Sequence, residues 1–222
     1  MFFSRHGSKK KDSKAQQSAE DTQSSAPQQI VFPAMPQDRS IGLMGDVSEE
    51  LASGVVSALI TLGNSACVEE AVEDAKGKVK TATVCDPIDL YISTNGGSAS
   101  DMFAIYDTMR MVRGVCDIST MGLGKVMSAG VLILAAGTKG QRRIGKNCRV
   151  MIHNVIGHQE GPIFTIENEM AEMKWTQERY IAALCEETKM TRKVLDKLLE
   201  KKTNIYLSAE EAVKHGIADK VV

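Results

Sequence analysis

Hydrophobic positions along this chain repeat with two periods, and the switches between them mark out its elements. Ser40 to Met44 is a short alternating run, which predicts a strand. Leu51, Val55, Val56, Leu59 and Ile60 then recur at helical spacing and predict a helix from Val47 to Leu62. The stretch 63–86 carries a weaker helical pattern in Val68, Ala71, Val72 and Ala75, with Gly77 as its stop. Ile88 to Ser93 reads as a strand and Thr94 to Gly97 as a tight turn. Ser98 with Asp101 makes the capping box of a helix over Ala99–Val112. Val115 to Met121 predicts another strand, Gly122 to Gly124 a turn, and Val126 to Ala136 a short buried helix. Arg149 to Val155 alternates as a strand, residues 157–161 read as a loop, and amphipathic patterns predict helices over Ile166–Thr188 and Thr191–Lys201. Ser208 and Glu211 form a second capping box, and Gly216 closes the helix they open. Strands alternating with helices, with no internal repeat, predict an α/β domain with mostly parallel pairing.

Residues 1–29 stand apart. They are rich in Ser, Gln and Lys and cannot bury enough apolar surface to offset their ordering entropy, so they read as a disordered polar tail ahead of a folded domain over 30–222. Ile30 to Pro36 reads as an extended arm at the start of that domain. A hydrophobic fraction of 43% and a charged fraction of 25% are ordinary for a soluble protein. A net charge of -1 and 5% aromatic residues argue against nucleic acid and anionic membranes as partners. No apolar run approaches the ~18–20 residues that span a bilayer. Basic residues follow Met1-Phe2-Phe3 at once, so no secretory signal is expected and the chain reads as cytoplasmic. Cysteines at 67, 85, 116, 148 and 185 contain no CxxC pair, which speaks against a zinc or redox motif; no metal or other cofactor is expected. The set reads as reduced, packed thiols, although Cys67 and Cys85 flank one local segment and would pair in an oxidising setting.

Candidate chemistry centres on Ser128, which lies among small residues in Gly122-Leu-Gly124-Lys-Val-Met-Ser128-Ala-Gly130, at the start of an apolar run. A helix start presents free N–H groups that favour developing negative charge, and small neighbours let a peptide backbone approach the hydroxyl. An N-cap serine reads the same way. His153 ends the apolar run Arg149-Val-Met-Ile, where a strand would hold an imidazole rigidly; a packed rim histidine gives the same local pattern. His6 lies in the tail, His158 in a polar loop, and His215 in the last turn of a helix, where it suits the dipole. Asn95-Gly96-Gly97 follows a strand and precedes a helix; it supplies either a plain turn or an unobstructed N–H for an oxyanion.

Taken together these segments resemble the ClpP family over roughly Arg39 to Val222. Tyr91-Ile-Ser-Thr-Asn-Gly-Gly-Ser98 is similar to the family's Tyr-Ile-Asn-Ser-Pro-Gly-Gly turn, and Ala104-Ile-Tyr-Asp-Thr-Met109 to the helix behind it. Ser128 falls at the family's nucleophile and Arg149-Val-Met-Ile-His153 at its base motif. Tyr206-Leu-Ser-Ala-Glu-Glu-Ala-Val213 with Gly216-Ile-Ala-Asp219 matches the C-terminal signature. The resemblance implies a crotonase-like α/β fold with a protruding handle helix, self-association into paired heptameric rings, and an AAA+ unfoldase that feeds unfolded protein to an enclosed chamber. By the same resemblance Ser128 attacks, His153 is the base, and the N–H groups of Gly97 and Ala129 hold the oxyanion. The segment 157–166 then pairs with an extended peptide substrate.

Three positions depart from the pattern. The family's acid is Asn204 here, and Asp196 and Glu200 are the nearest carboxylates in sequence. The Cys67–Cys85 segment is longer than the family's connection, and the N-terminal stretch that forms axial loops is not recognisable. These departures keep three other readings open: a peptidase using Lys125 as base, a non-catalytic subunit of mixed rings, and a phage-type variant acting in capsid maturation.

Overall fold

The computed structural model describes residues 38–73, 77–200 and 204–222. The predicted polar tail over 1–29 and the arm over 30–36 lie outside the described residues. In chain order the elements are β1 (Ser40–Met44), α1 (Glu49–Asn64), β2 (Cys67–Glu73), β3 (Val79–Cys85), β4 (Ile88–Thr94), α2 (Ala99–Val112), β5 (Ile118–Met127) and α3 (Ala129–Ala135). They continue with β6 (Arg142–Ile144), β7 (Arg149–Ile152), α4 (Ile163–Glu187), α5 (Arg192–Leu199), β8 (Ile205–Leu207), α6 (Ala209–Lys214) and β9 (Lys220–Val221).

Seven strands form one sheet, with β1, β4, β5, β6 and β9 side by side in that order and all parallel. The α/β architecture with mostly parallel pairing is therefore as the hydrophobic pattern predicts. Burial alternates strictly along β4: Ile88, Leu90, Ile92 and Thr94 are buried while Asp89, Tyr91 and Ser93 are half-buried. The buried face meets Val55 and Leu59 of α1 and Ile105 and Met109 of α2 in one core, joined by α3, every residue of which is buried.

β5 changes partners halfway. Its first half, Thr120 to Gly122, pairs with β6; its second half, Lys125 to Met127, pairs with β7. Between them the register with β4 slips, from Ile92 opposite Gly122 to Thr94 opposite Val126. Between these pairs one residue of β4, Ser93, thus faces three of β5, a bulge of two extra residues. Gly124, at φ 64°, sits inside it. The expected turn over Gly122–Gly124 is therefore a bulge within a longer strand, because partners on both sides keep the chain extended across it. The following helix accordingly begins at Ala129 rather than Val126.

The stretch 63–86 is a further correction. After α1 ends at Asn64 it forms an antiparallel hairpin of β2 and β3, a two-stranded sheet of its own. The apolar spacing that suggests a helix is overridden by pairing that puts Cys67 directly opposite Cys85, Cα atoms 4.0 Å apart, joined as a disulfide. Cys116 and Cys148 are buried free thiols and Cys185 is a half-buried one, so the expected reduced state holds for those three and not for the first two.

α4 is the protruding helix. Only its C-terminal end is buried, through Tyr180, Ile181, Ala183, Leu184 and Glu187. A charged knot secures that end. Glu187 takes Arg113 at 2.7 and 3.1 Å and Lys139 at 3.1 Å. Burial raises the Glu187 pKa, but these two cations outweigh burial and hold the carboxyl below its ordinary value. Arg142, 4% exposed in its side chain, donates to the Glu187 carbonyl at 2.7 Å, to the Ala135 carbonyl at 3.2 Å, and to the Asp219 carboxylate at 2.5 and 2.8 Å. The Asp219 pKa is lowered to about 2, chiefly by the Arg142 side chain. No described helix is long and apolar enough to cross a membrane.

Two predictions follow from this packing. Asp219→Asn leaves a buried guanidinium without its carboxylate and lowers stability by about 2–3 kcal/mol in urea unfolding, less than a fully buried pair because Arg142 keeps its carbonyl acceptors. A depressed carboxyl pKa stabilises fully above about pH 4 and is lost as pH falls toward 2, so the wild-type advantage over Asp219→Asn vanishes across that window. The second concerns the hairpin. Two strands alone are marginal in water, so reducing Cys67–Cys85 exposes residues 68–84 to proteolysis while the thermal transition of the main domain stays in place, as mass mapping of the fragments would read.

Candidate active site

Ser128 is the single residue between the end of β5 and the start of α3, and that junction forces an unusual backbone. Its φ is 54° and its ψ -118°, and among the described residues it is the one non-glycine with positive φ. Such a conformation costs of order 1–3 kcal/mol and persists only where surrounding contacts over-determine it. Its N–H donates to the Met151 carbonyl at 2.8 Å, so the β5–β7 ladder continues into the turn. The Ser128 side chain makes no capping bond to α3. The N-cap explanation for this serine is thereby removed.

The loop after β4 presses on the same turn. A Cβ on Gly96 would lie 2.5 Å from the Ser128 Cβ, and one on Gly97 2.2 Å from the Val47 carbonyl oxygen. Gly97 bridges to Val47 through Val47 N–H to Gly96 O at 2.7 Å and Ser98 N–H to Val47 O at 2.9 Å, neither of which uses the Gly97 N–H. Ala129 is the first residue of α3, where an N–H has no partner within the helix. Ser98 accepts from the Asp101 N–H at 3.3 Å, but its own N–H goes to Val47, so only half of the expected capping box forms.

His153 follows β7 directly, as the strand-end reading expects, although that strand stops at Ile152 rather than Val155. The chain beyond it is tied down by Asn154 Nδ2 to the Leu199 carbonyl at 2.9 Å and Val155 N–H to Gln177 Oε1 at 2.6 Å. Ser128, His153, Gly97 and Ala129 line one cavity of about 330 Å³, together with Asn95, Met102, Ile156 and Tyr180. No hydrogen bond joins Ser128 Oγ to His153 among the described residues.

Asn204 precedes β8, which pairs antiparallel with β7: Ile152 faces Ile205 and Met151 faces Tyr206. Continuing that register by one residue sets Asn204 opposite His153, within side-chain reach. Yet Asn204 is exposed, and His153 Nδ1 is buried with no hydrogen-bond partner. The neighbouring carboxylates are engaged elsewhere or exposed: Asp196 bonds Arg192 at 2.8 Å, and Glu200 lies on the surface. Lys125 lies on β5 and does not line the cavity. His158 is a surface residue 3.6 Å from Glu160, and His215 caps α6.

Sequence reasoning did not single out Tyr180 or Gln177. The apolar spacing of Tyr180, Ile181 and Leu184 signals that this end of α4 packs, but not that its phenol reaches the site.

Comparison with known proteins identifies a family. The family model described as Clp protease matches residues 79–222. The ATP-dependent Clp protease proteolytic subunit 1 of Gloeobacter violaceus is 31% identical over 192 residues, 86% of this chain and 87% of that protein.

The contact at Gly97 yields a prediction. Gly97→Ala drives a Cβ into backbone at Val47 and lowers stability by about 1–3 kcal/mol, measured by denaturant unfolding.

Proposed function

The chain belongs to the Clp protease family, and on that premise we propose that Ser128 is the nucleophile of a serine endopeptidase subunit, with His153 as its base. The observation that carries the reading is the strained turn at Ser128, which frees its hydroxyl from capping and sets it in one cavity with His153, Gly97 and Ala129. In this reaction Ser128 Oγ attacks the peptide carbonyl as His153 takes its proton. The Gly97 and Ala129 N–H groups stabilise the oxyanion, and His153 returns the proton to the leaving amine. Water then hydrolyses the acyl-enzyme by the same route.

The substrate is an unfolded polypeptide delivered by an AAA+ unfoldase, and the subunits associate into paired heptameric rings. Supporting association, Ile156, Ile163, Phe164, Met170 and Trp175 expose large apolar side chains along the loop and α4, more than an isolated surface helix ordinarily shows.

A specific observation favours a second reading, a catalytically weak subunit completing mixed rings: His153 Nδ1 has no hydrogen-bond partner, and the residue that the resemblance sets at the family's acid is Asn204. An amide does not stabilise an imidazolium as a carboxylate does, and in trypsin the equivalent Asp→Asn change lowers kcat by ~10⁴.

Fluorophosphonate labelling of assembled protein decides between the two. Labelling of wild type that disappears in Ser128→Ala and His153→Ala but persists in Lys125→Ala supports the serine–histidine mechanism. Asn204→Asp is expected to label at least about tenfold faster. Intact rings that label in no variant would establish the structural role instead.

A further inference from the structure

The Ser128–Ala129 peptide unit carries both a strained carbonyl and the second oxyanion donor, and it is held by a residue outside the proposed catalytic set. The Ser128 carbonyl accepts from the Val131 N–H at 3.0 Å and from the Tyr180 hydroxyl at 3.2 Å. Tyr180 comes from α4, 52 residues further along the chain, is 4% exposed and lines the same cavity. Burial pushes its phenol pKa well above the ordinary value, so it stays a donor throughout the neutral range.

We propose that Tyr180 is a positioning residue that aims the Ala129 N–H at the oxyanion by fixing the plane of the Ser128–Ala129 peptide. The inference rests on the reading of Ser128 as nucleophile. A trans peptide holds its C=O and N–H in one plane, pointing opposite ways, so a donor that fixes the carbonyl also fixes the N–H at the other end. Two donors on one carbonyl polarise the amide and strengthen that N–H as a donor. Because φ at Ser128 is 54°, the peptide sits in a sparsely populated region and needs anchoring from beyond its own turn. The Met151 carbonyl anchors one side of Ser128, and Tyr180 anchors the other.

The variant that isolates this role is Tyr180→Phe. It keeps the ring in the core and leaves the carbonyl its Val131 donor, so the fold survives. Removing an oxyanion donor outright costs about 10²–10³ in kcat, and loosening one costs less. Assembled Tyr180→Phe is therefore expected to react with a fluorophosphonate about tenfold more slowly than wild type. With a fluorogenic peptide its kcat falls by a similar factor at unchanged KM and unchanged melting temperature. A packing role predicts the opposite split, with Tyr180→Phe equal to wild type and only Tyr180→Leu impaired, and that result would overturn the proposal while leaving the serine mechanism intact. Wild type that fails to label would remove the serine mechanism and this inference with it.

Discussion

The site depends on one strand being unable to keep the same neighbour along its length. β5 is ten residues long and lies inside the sheet, so its backbone groups need partners on both sides throughout. β6 is only three residues long and supplies partners to the first half alone. The bulge around Gly124 lets β5 drop out of register with β4 and continue beside β7. From that one slip the rest follows. Met127 comes opposite Met151, the Ser128 N–H reaches the Met151 carbonyl, and His153 stands two residues beyond. β7 is in turn flanked by β8, whose register leads back to Asn204. Three candidate side chains far apart in sequence are thus gathered by pairings on consecutive strands.

The second constraint is space. α3 starts immediately after Ser128, and the loop after β4, whose Gly97 lines the same cavity, passes close to it. A Cβ on Gly130 would lie 2.4 Å from Thr94 Cγ2, so the helix start packs against the Thr94 side chain with no room for a side chain of its own. At its other end α3 is fixed by Arg142, which binds the Ala135 carbonyl, the Asp219 carboxylate and the Glu187 carbonyl at once. The short helix that begins at Ala129 is therefore held at both ends, by Tyr180 of α4 at the Ser128 carbonyl and by Arg142 of β6 at the Ala135 carbonyl. That explains how a seven-residue helix with no side-chain cap maintains a strained first turn.

What could be read in the sequence tracks how local each determinant is. The helix over Ala99–Val112 has the bounds its periodicity and Ser98 predict, and the Ser208–Glu211 capping box forms in full. Ser128, His153, Gly97 and Ala129 do share a cavity. The misreadings arise where a distant segment decides. Gly122 to Gly124 looks like a turn because one residue does take positive φ, but pairing on both sides carries the strand through. Val68, Ala71 and Val72 fit a helical stripe, yet the hairpin forms because Cys67 lies opposite Cys85, a relation set by residues 18 apart. Tyr180 was silent because a tyrosine on a long helix shows nothing of what its hydroxyl meets.

The unpartnered Nδ1 of His153 bears on chemistry through the tautomer. A buried N–H without an acceptor is costly, whereas a bare ring nitrogen is less so, and this difference drives the proton to Nε2. Under the proposed mechanism that is the nitrogen that must be free to accept the Ser128 proton. A carboxylate opposite the ring offers acceptors only and selects the productive tautomer whichever oxygen it presents. The Asn204 amide presents an acceptor on one side and a donor on the other, so its orientation chooses between a competent and an incompetent base. Because Asn204 is exposed, that choice is sensitive to whatever packs against the start of β8. The turn at Ser128 and Ala129 is fixed by the core, whereas the residue opposite His153 in the strand register lies at the surface. Under the proposed mechanism the nucleophile turn is formed by the fold itself, and the residue opposite the base is the one left to its surroundings.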